Sequence, residues 1–209
     1  MKTLTPAELE QITARTLGHY EGNAAAFWAG THDHDVTQNY EAMLSVLPHR
    51  PGLKILDLGC GPGRDLKYFK GLGHEPIGLE GCPSFCEMAR RHSGCEVWQQ
   101  NFLELKLPAE AFDGIFANAS LFHVPRQELP RVLSELAAAL VPNGILFSSN
   151  PRGGNQEGWS GDRYGTYLEW DEYSQFLEGA GLTPLRHYYR PPGLPLEQQH
   201  ILASVSRKN

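Results

Sequence analysis

The sequence lacks any run of Lys or Arg, any long apolar stretch, any internal repeat and any low-complexity tract. Each absence excludes something. The net charge is −6 over 209 residues, with no basic cluster. Such a chain has no electrostatic footprint for a phosphate backbone, so no nucleic-acid partner is expected. No apolar run approaches the ~18 residues of a membrane-spanning helix, so no membrane partner is expected either. Cysteine is scarce: Cys60, Cys82, Cys86 and Cys95, none of them in C-x-x-C. Cys82 and Cys86, four apart, can share a helix face, either as a redox or metal pair or, the expected reading, as ordinary half-buried packing. The opening MKTLTPAELEQ holds no apolar h-region, so the expectation is a cytoplasmic chain with reduced thiols and no secretory signal.

What is there is the ordinary composition of a globular protein, 41% hydrophobic and 20% charged, at a length that buries a core without staples. Thr5-Pro6-Ala7-Glu8 reads as a capping box opening a helix to Leu17. A second helix is expected from Val36 to the stop at Pro48. From Lys54 the character changes. Short apolar runs at 54–59, 76–80, 96–102, 112–119 and 144–150 alternate with helical segments at 64–70, 83–92 and 127–140. That alternation implies a parallel sheet wound by right-handed crossovers. After a helix at 171–179, runs at 183–189 and 201–207 have only PPGLPLEQQ between them, which predicts antiparallel neighbours. The expected fold is α/β: a Rossmann-like doubly wound seven-stranded sheet, five parallel strands plus a C-terminal antiparallel pair, with helices on both faces. It forms one domain, with a helical lid at 1–50, a cofactor-binding core at 51–150, and a substrate loop and strand pair at 151–209.

In ILDLGCGPGRDLKYF, residues 55–69, three glycines fall within five positions directly after the first strand. In a doubly wound sheet that is the ligand edge, and glycine there allows positive φ and close approach of a ligand. Glu80 ends the second strand, twenty-one residues after Gly59, where a carboxylate suits a ribose diol. Two ligand classes compete, a nicotinamide dinucleotide and S-adenosylmethionine. The dinucleotide pattern G-x-G-x-x-G fails in both frames, with Arg64 or Leu66 at the sixth position. No Y-x-x-x-K pair is present. A non-catalytic fold relative acting as an interaction module is the third reading.

The motif LDLGCGPGRD, residues 56–65, resembles the first motif of the class I S-adenosylmethionine-dependent methyltransferases. The resemblance covers Lys54 to Leu146 most fully and extends through the final strand pair. It implies that Asp57 organises the loop near the methionine ammonium. Gly59, Gly61 and Gly63 would pass under the adenosyl and methionine moieties, and Glu80 would hold the ribose hydroxyls. Asn101 stands where the family usually has an acid near the adenine amino group, and Phe102 would pack on adenine. NASLFHVP, 118–125, matches the family's N/D-x-x-x-x-H pattern, placing Asn118 near the methionine end and His123 nearer the acceptor. Cys60, Gly81 and Ala119 complete the implied cofactor set. The compact form of this family acts mostly on small molecules, with imidazole or thiohistidine N-methylation in sulfur-metabolite biosynthesis as a possible relative. The expected partner is a small polar acceptor methylated at N or S, and the expected assembly is a monomer or homodimer.

Methyl transfer from a sulfonium needs alignment and exclusion of water more than a strong base. The acceptor site is therefore sought in lids. The segment 20–39 offers Tyr20, Phe27, Trp28 and Asn39. Its His32-Asp33-His34-Asp35 reads either as a divalent-metal site or, as expected here, as a helix start with Asp35 as N-cap, so no metal is assigned. The stretch 150–167 is an eighteen-residue loop in which five glycines interleave with Trp159, Arg163, Tyr164 and Tyr167. Arg152 and Arg163 are suited to an acceptor carboxylate, with Tyr164 beside them. HYYRPPG adds Tyr188 and Arg190 to the expected substrate set, and His123 and Tyr20 are the expected catalytic pair.

Overall fold

The computed structural model describes residues 3–209. Its strands are β1 (Lys54–Leu58), β2 (Glu75–Glu80), β3 (Glu96–Gln99), β4 (Phe112–Asn118), β5 (Leu140–Pro151), β6 (Gln156–Ser160), β7 (Arg163–Tyr167), β8 (Leu182–Arg190) and β9 (Ile201–Lys208). Seven form one sheet in the order β3-β2-β1-β4-β5-β9-β8. The first five run parallel. β9 pairs antiparallel with β5 and β8 antiparallel with β9, because the short connection between β8 and β9 leaves no room for a crossover. The winding reverses between β1 and β4, so the carboxyl ends of these two strands open the crevice where such sheets take ligands.

Helices α1 (Pro6–Gly22), α2 (Ala24–Thr31), α3 (Thr37–Leu44), α4 (Arg64–Gly71), α5 (Pro83–Ser93), α6 (Leu129–Ala139) and α7 (Trp170–Gly179) cover the sheet. On α6, Leu129, Val132, Leu133 and Leu136 are fully buried against Leu56, Ile115 and Leu146, each contributing about 1.5–3 kcal/mol. The other face packs Tyr40, Met43 and Phe69 on Ile55, Phe116 and Phe147. Among the described residues no helix is long and apolar enough to cross a membrane.

Several boundaries differ from the sequence reading: α3 ends at Leu44, short of Pro48, β3 ends at Gln99 rather than at 102, and β5 begins at Leu140 rather than at 144. The capping box forms, with the Glu8 amide donating to Thr5 Oγ1 and the Thr5 amide to Glu8. The helix then runs five residues past Leu17 to Gly22, since Gly18 meets no neighbour that would stop it. α2 was not expected; its three alanines favour helix. Asp35 stands one residue before the N-cap Val36, yet its carboxylate takes the Thr37 amide at 2.9 Å. The loop 150–167 is mostly a two-stranded hairpin of β6 and β7, paired Trp159 to Tyr164. Its turn glycines sit at φ +63 (Gly154) and +61 (Gly161), so they make turns. Burial pushes the Cys82 thiol up to about 12 and the Cys86 thiol up to about 11.

Candidate active site

The loop after β1 holds Gly59, Gly61 and Gly63 at φ +72, +51 and +92, a region L side chains rarely enter. Their surroundings differ. A Cβ on Gly59 would lie 2.5 Å from Ser120 Cβ, and one on Gly63 2.8 Å from Ala89 Cα. A Cβ on Gly61 would meet nothing nearer than Phe27 Cε1 at 3.8 Å. Gly61 therefore faces open space, whereas Gly63 lets α4 pack on α5. Gly63, expected to pass under a ligand, lines neither half of the cleft.

The first half of the cleft encloses about 730 Å³, including its mouth. Gly59, Gly61, Glu80, Gly81, Asn101, Phe102 and Ala119 stand on its wall. α1 roofs it with Ile12, Thr16 and Tyr20, spaced four apart and so on one helix face. Glu80 is 8% exposed. It accepts from the Gly61 amide at 3.0 Å and the Cys82 amide at 2.9 Å. Burial raises its pKa above the ordinary value, against those backbone bonds. Asn101 Oδ1 takes the Leu103 amide at 2.8 Å and Nδ2 reaches Glu104. Its side chain thus holds its own turn together, which narrows the adenine contact expected of it. Ala119 sits at φ +57 with its amide on Ser149 O, a strained non-glycine backbone of the kind that clusters at functional sites.

The second half is larger, about 1200 Å³ with its mouth, and shares Tyr20, Phe27, Gly59, Gly61 and Ala119 with the first. Cys60, Asn118, Trp28, Arg163 and Arg190 line it. A polar network not foreseen from sequence runs along its floor. Arg64 donates to both oxygens of Asp65, at 2.6 and 3.0 Å. The Tyr40 hydroxyl donates to Asp65 at 2.5 Å and Asn118 Nδ2 at 3.3 Å. Asn39 then donates to Asn118 Oδ1 at 3.0 Å, and accepts from the Tyr188 hydroxyl at 2.9 Å and Arg190 at 3.2 Å. Arg64 and Asp65 directly follow the glycine motif, which is the signal that could have placed them here. Asp57 lies beneath, 1% exposed, with Oδ2 buried and unpartnered. Burial, then the Asp65 charge, push its pKa well above the carboxylate range.

Tyr20 and His123 meet where the two halves join. His123 Nδ1 lies 2.7 Å from the Tyr164 carbonyl oxygen and Nε2 lies 2.8 Å from the Tyr20 hydroxyl. A carbonyl only accepts, so Nδ1 carries the proton and Nε2 accepts from Tyr20. Burial pulls the His123 pKa down to about 4, against the Tyr164 bond, and the ring is neutral. Burial raises the Tyr20 phenol, opposed by its hydrogen bond to Arg163.

Four expected substrate contacts do not line the cleft. Arg152 is used up structurally: it pairs with Glu169 at 2.6 Å, donates to Leu196 O and Gln199 O, and covers the Tyr189 ring. Tyr164 is 7% exposed and turned from the cavity toward Trp159, because alternation along β7 sends Arg163 inward and Tyr164 outward. What Tyr164 supplies is its carbonyl. Asn39 is fully buried and Tyr188 stands behind it, so both orient Asn118 and Arg190. Among the described residues no three His, Cys, Asp or Glu side chains gather as metal ligands, and of the 32–35 tetrad only His34 faces the cleft.

A parallel sheet with a glycine loop after β1, an acid ending β2 and an antiparallel last strand defines the architecture of class I S-adenosylmethionine-dependent methyltransferases. Residues 55–144 match the family model described as a methyltransferase domain. Those residues, less than half of the chain, are similar to an enzyme domain of a class whose cofactor is S-adenosylmethionine. Among solved structures it is similar to Burkholderia thailandensis 1,6-didemethyltoxoflavin-N1-methyltransferase, crystallised with its namesake ligand and S-adenosylhomocysteine. The TM-score is 0.78 at 21% identity, over 100% of this chain and 92% of that one. It is also similar to a TehB-like methyltransferase of Corynebacterium glutamicum, with TM-score 0.72 at 18% identity over 92% and 100%. Curated relatives include "Probable tRNA methyltransferase 9B" of Bos taurus, 31% identical over 60% of this chain and 30% of the relative. Another is 24-methylenesterol C-methyltransferase 2 of Oryza sativa subsp. japonica, 30% identical over 52% and 31%. The chain thus spans about a third of the length of these relatives.

The residues present fit the cofactor of that class. Gly61 leaves the space a Cβ would fill, Glu80 stands at the ribose position of such folds, and the orphaned Asp57 Oδ2 lies below the loop.

Proposed function

We propose that this protein transfers a methyl group from S-adenosylmethionine to a nitrogen or sulfur of a small polar metabolite. The observation that carries this is the junction of the two half-cavities at Gly61 and Tyr20, which gives a donor half and an acceptor half one shared wall. Glu80, Gly61, Phe102 and Gly81 would hold the adenosyl part; Ala119, on the wall both halves share, and Asn118, where the second half begins, would hold the methionine part, with Asp57 beneath organising the loop. When bound, the donor supplies an electrophilic methyl: its C–S bond breaks with the pair going to sulfur as the acceptor lone pair forms the new bond. The protein's own part is to align the acceptor, exclude water, and relay a proton: Tyr20 Oη takes the acceptor's proton as its own passes to His123 Nε2. The tRNA-modifying relative raises a nucleic-acid acceptor as the competing reading. The acidic charge of −6 and the helical roof over the cleft favour a small molecule. Imidazole N-methylation falls within the same reading, and so does action in the cytoplasm.

S-Adenosylhomocysteine at a hundred times its Kd is expected to stabilise the fold by about 2.7 kcal/mol, roughly 5–10 °C in Tm at this size. NAD and NADP are expected to leave it unmoved. A shift from NAD alone would replace this reading with a dehydrogenase.

Glu80→Ala is expected to weaken S-adenosylhomocysteine about tenfold to a hundredfold, since a charge-assisted bond to a hydroxyl contributes roughly 1.5–3 kcal/mol. Calorimetry returning the parent affinity would remove Glu80 from the ribose position.

A further inference from the structure

Among the described residues, three arginines and one carboxylate line the acceptor half of the cleft, and two of the arginines are not paired with a carboxylate. Asp65 is the carboxylate on its wall, and Arg64, Tyr40 and Asn118 already hold it. Arg163 and Arg190 stand on the same wall, and neither makes an ion pair with a carboxylate among the described residues. Arg163 stands close enough to the Tyr20 hydroxyl to lower the pKa of that phenol. Arg190 gives one nitrogen to Asn39 Oδ1 and one to the Asp35 carbonyl, at 3.2 and 3.3 Å. Its Nε is buried with no partner at all. A buried guanidinium N–H without an acceptor is costly, which favours a ligand oxygen there. The planar fork of Arg matches a carboxylate or phosphate, where Lys would not.

The rest of this half is aromatic. Phe27, Trp28 and Phe122 line it beside Tyr20. Phe27 meets Tyr20 edge-on at 5.6 Å between ring centres, and Phe122 lies 3.9 Å from the His123 ring. Trp28 is braced from outside by His32 and His92, at 5.3 and 4.8 Å. Such rings offer faces and edges to another flat ring. A saturated polar metabolite would leave them unused.

Resting on the methyl-transfer reading, we propose that the acceptor is a planar aromatic or heteroaromatic acid, its ring held among Phe27, Trp28 and Phe122 and its anionic group held by Arg163 and Arg190. The clamp sets the ring's orientation, so that the heteroatom to be methylated faces Tyr20 and the shared wall. Specificity then divides between the two arginines, which reject neutral analogues, and the aromatic wall, which rejects non-planar acids.

The test is calorimetric and uses the full chain saturated with S-adenosylhomocysteine. Three kinds of probe are titrated: imidazole-4-carboxylate and pyridine-3-carboxylate; their carboxamides; and cyclohexanecarboxylate. The aromatic acids are expected to bind at least tenfold more tightly than either control. Carboxamides binding as well as the acids would overturn the clamp. Cyclohexanecarboxylate binding as well would overturn the aromatic wall, and no binding by the acids at 10 mM (about the weakest affinity of interest, near −3 kcal/mol) would overturn both. Arg163→Gln and Arg190→Gln are each expected to cost the acids tenfold or more, leave the amides unchanged, and move S-adenosylhomocysteine by less than threefold. A loss of S-adenosylhomocysteine affinity instead would assign the arginines to the donor's own carboxylate and end the proposal. Failure of the parent to bind S-adenosylhomocysteine at all would remove the methyl-transfer reading beneath it, a separate outcome visible before any acceptor is added.

Discussion

Gly61→Asn is expected to lower S-adenosylhomocysteine affinity by more than about a hundredfold, near 2.7 kcal/mol, in a protein that stays folded. Gly63→Asn is expected to destabilise the fold itself. Both glycines have positive φ, +51 and +92, and Asn is the residue that tolerates that region best after glycine, so backbone strain is kept small in both. The difference lies in what each new side chain meets. At position 61 the nearest atom is a ring carbon of Phe27 at 3.8 Å, and the side chain projects into the space assigned to the donor. At position 63 the first carbon already stands 2.8 Å from the Ala89 backbone, and α4 and α5 must separate. Overpacking of that kind costs about 1–3 kcal/mol, roughly 2–12 °C in Tm for a chain of this size. Calorimetry and a melting curve on each variant suffice. Normal affinity in the folded Gly61 variant would move the donor out of this loop. An unchanged melting temperature in the Gly63 variant would contradict the packing assigned to it.

That split among three neighbouring glycines shows where sequence reading stops. The spacing of Gly59, Gly61 and Gly63 after a strand announces a ligand loop, and Glu80 at the end of the next strand supports it. The parallel alternation and the antiparallel ending are legible too, because alternating strands and helices with right-handed crossovers leave few topologies. Which glycine faces ligand and which faces a helix depends on Ala89, twenty-six residues further on. No local pattern carries that. Arg152 and Tyr164 mislead for related reasons. Arg152 looks available until Glu169 and the 196–199 turn are folded against it. Tyr164 looks like a contact until the hairpin fixes the alternation of β7. A helical lid at 1–50 was expected, but not the face of α1 that roofs the cleft, although Ile12, Thr16 and Tyr20 repeat every four residues. Their polarity is too mixed for the apolar stripe that such a search looks for. The network from Arg64 to Arg190 joins four separate elements, α3, α4, β4 and β8, which come together only when the chain has folded.

Tyr20→Phe and His123→Gln are each expected to reduce turnover of an acceptor with an N–H or S–H proton by about 10²–10⁴-fold, the usual yield of general acid–base catalysis. S-Adenosylhomocysteine affinity is expected to change by less than threefold. Phe keeps the ring contacts to Phe27 and Phe85 at 5.6 and 5.7 Å and removes only the hydroxyl between the cleft and His123. The ground state favours this direction of proton flow: Nδ1–H is locked on the Tyr164 carbonyl, so Nε2 can only accept. A His123 pKa of about 4 makes the imidazole a poor base in isolation. During transfer, however, the positive charge of the bound donor is lost as one appears on His123, so the buried site keeps a single charge throughout. Because His123 stays neutral in the fold until about pH 4, the rate is expected to hold across the ordinary histidine range near 6.5 and to fall only below it. Stability carries the same signature with a definite sign. Between about pH 6.5 and 4 the unfolded chain binds the proton that the folded one refuses, so stability is lost as pH falls through that window. His74, His92 and His187, also lowered by burial, add to this loss in both proteins. The His123→Gln variant should therefore show a shallower fall in Tm from pH 7 to pH 4 than the parent, alongside its loss of turnover. Parallel melting curves for parent and variant would mean that His123 is not held neutral, and a Tyr20→Phe enzyme turning over within threefold of the parent would show that no proton passes through that hydroxyl.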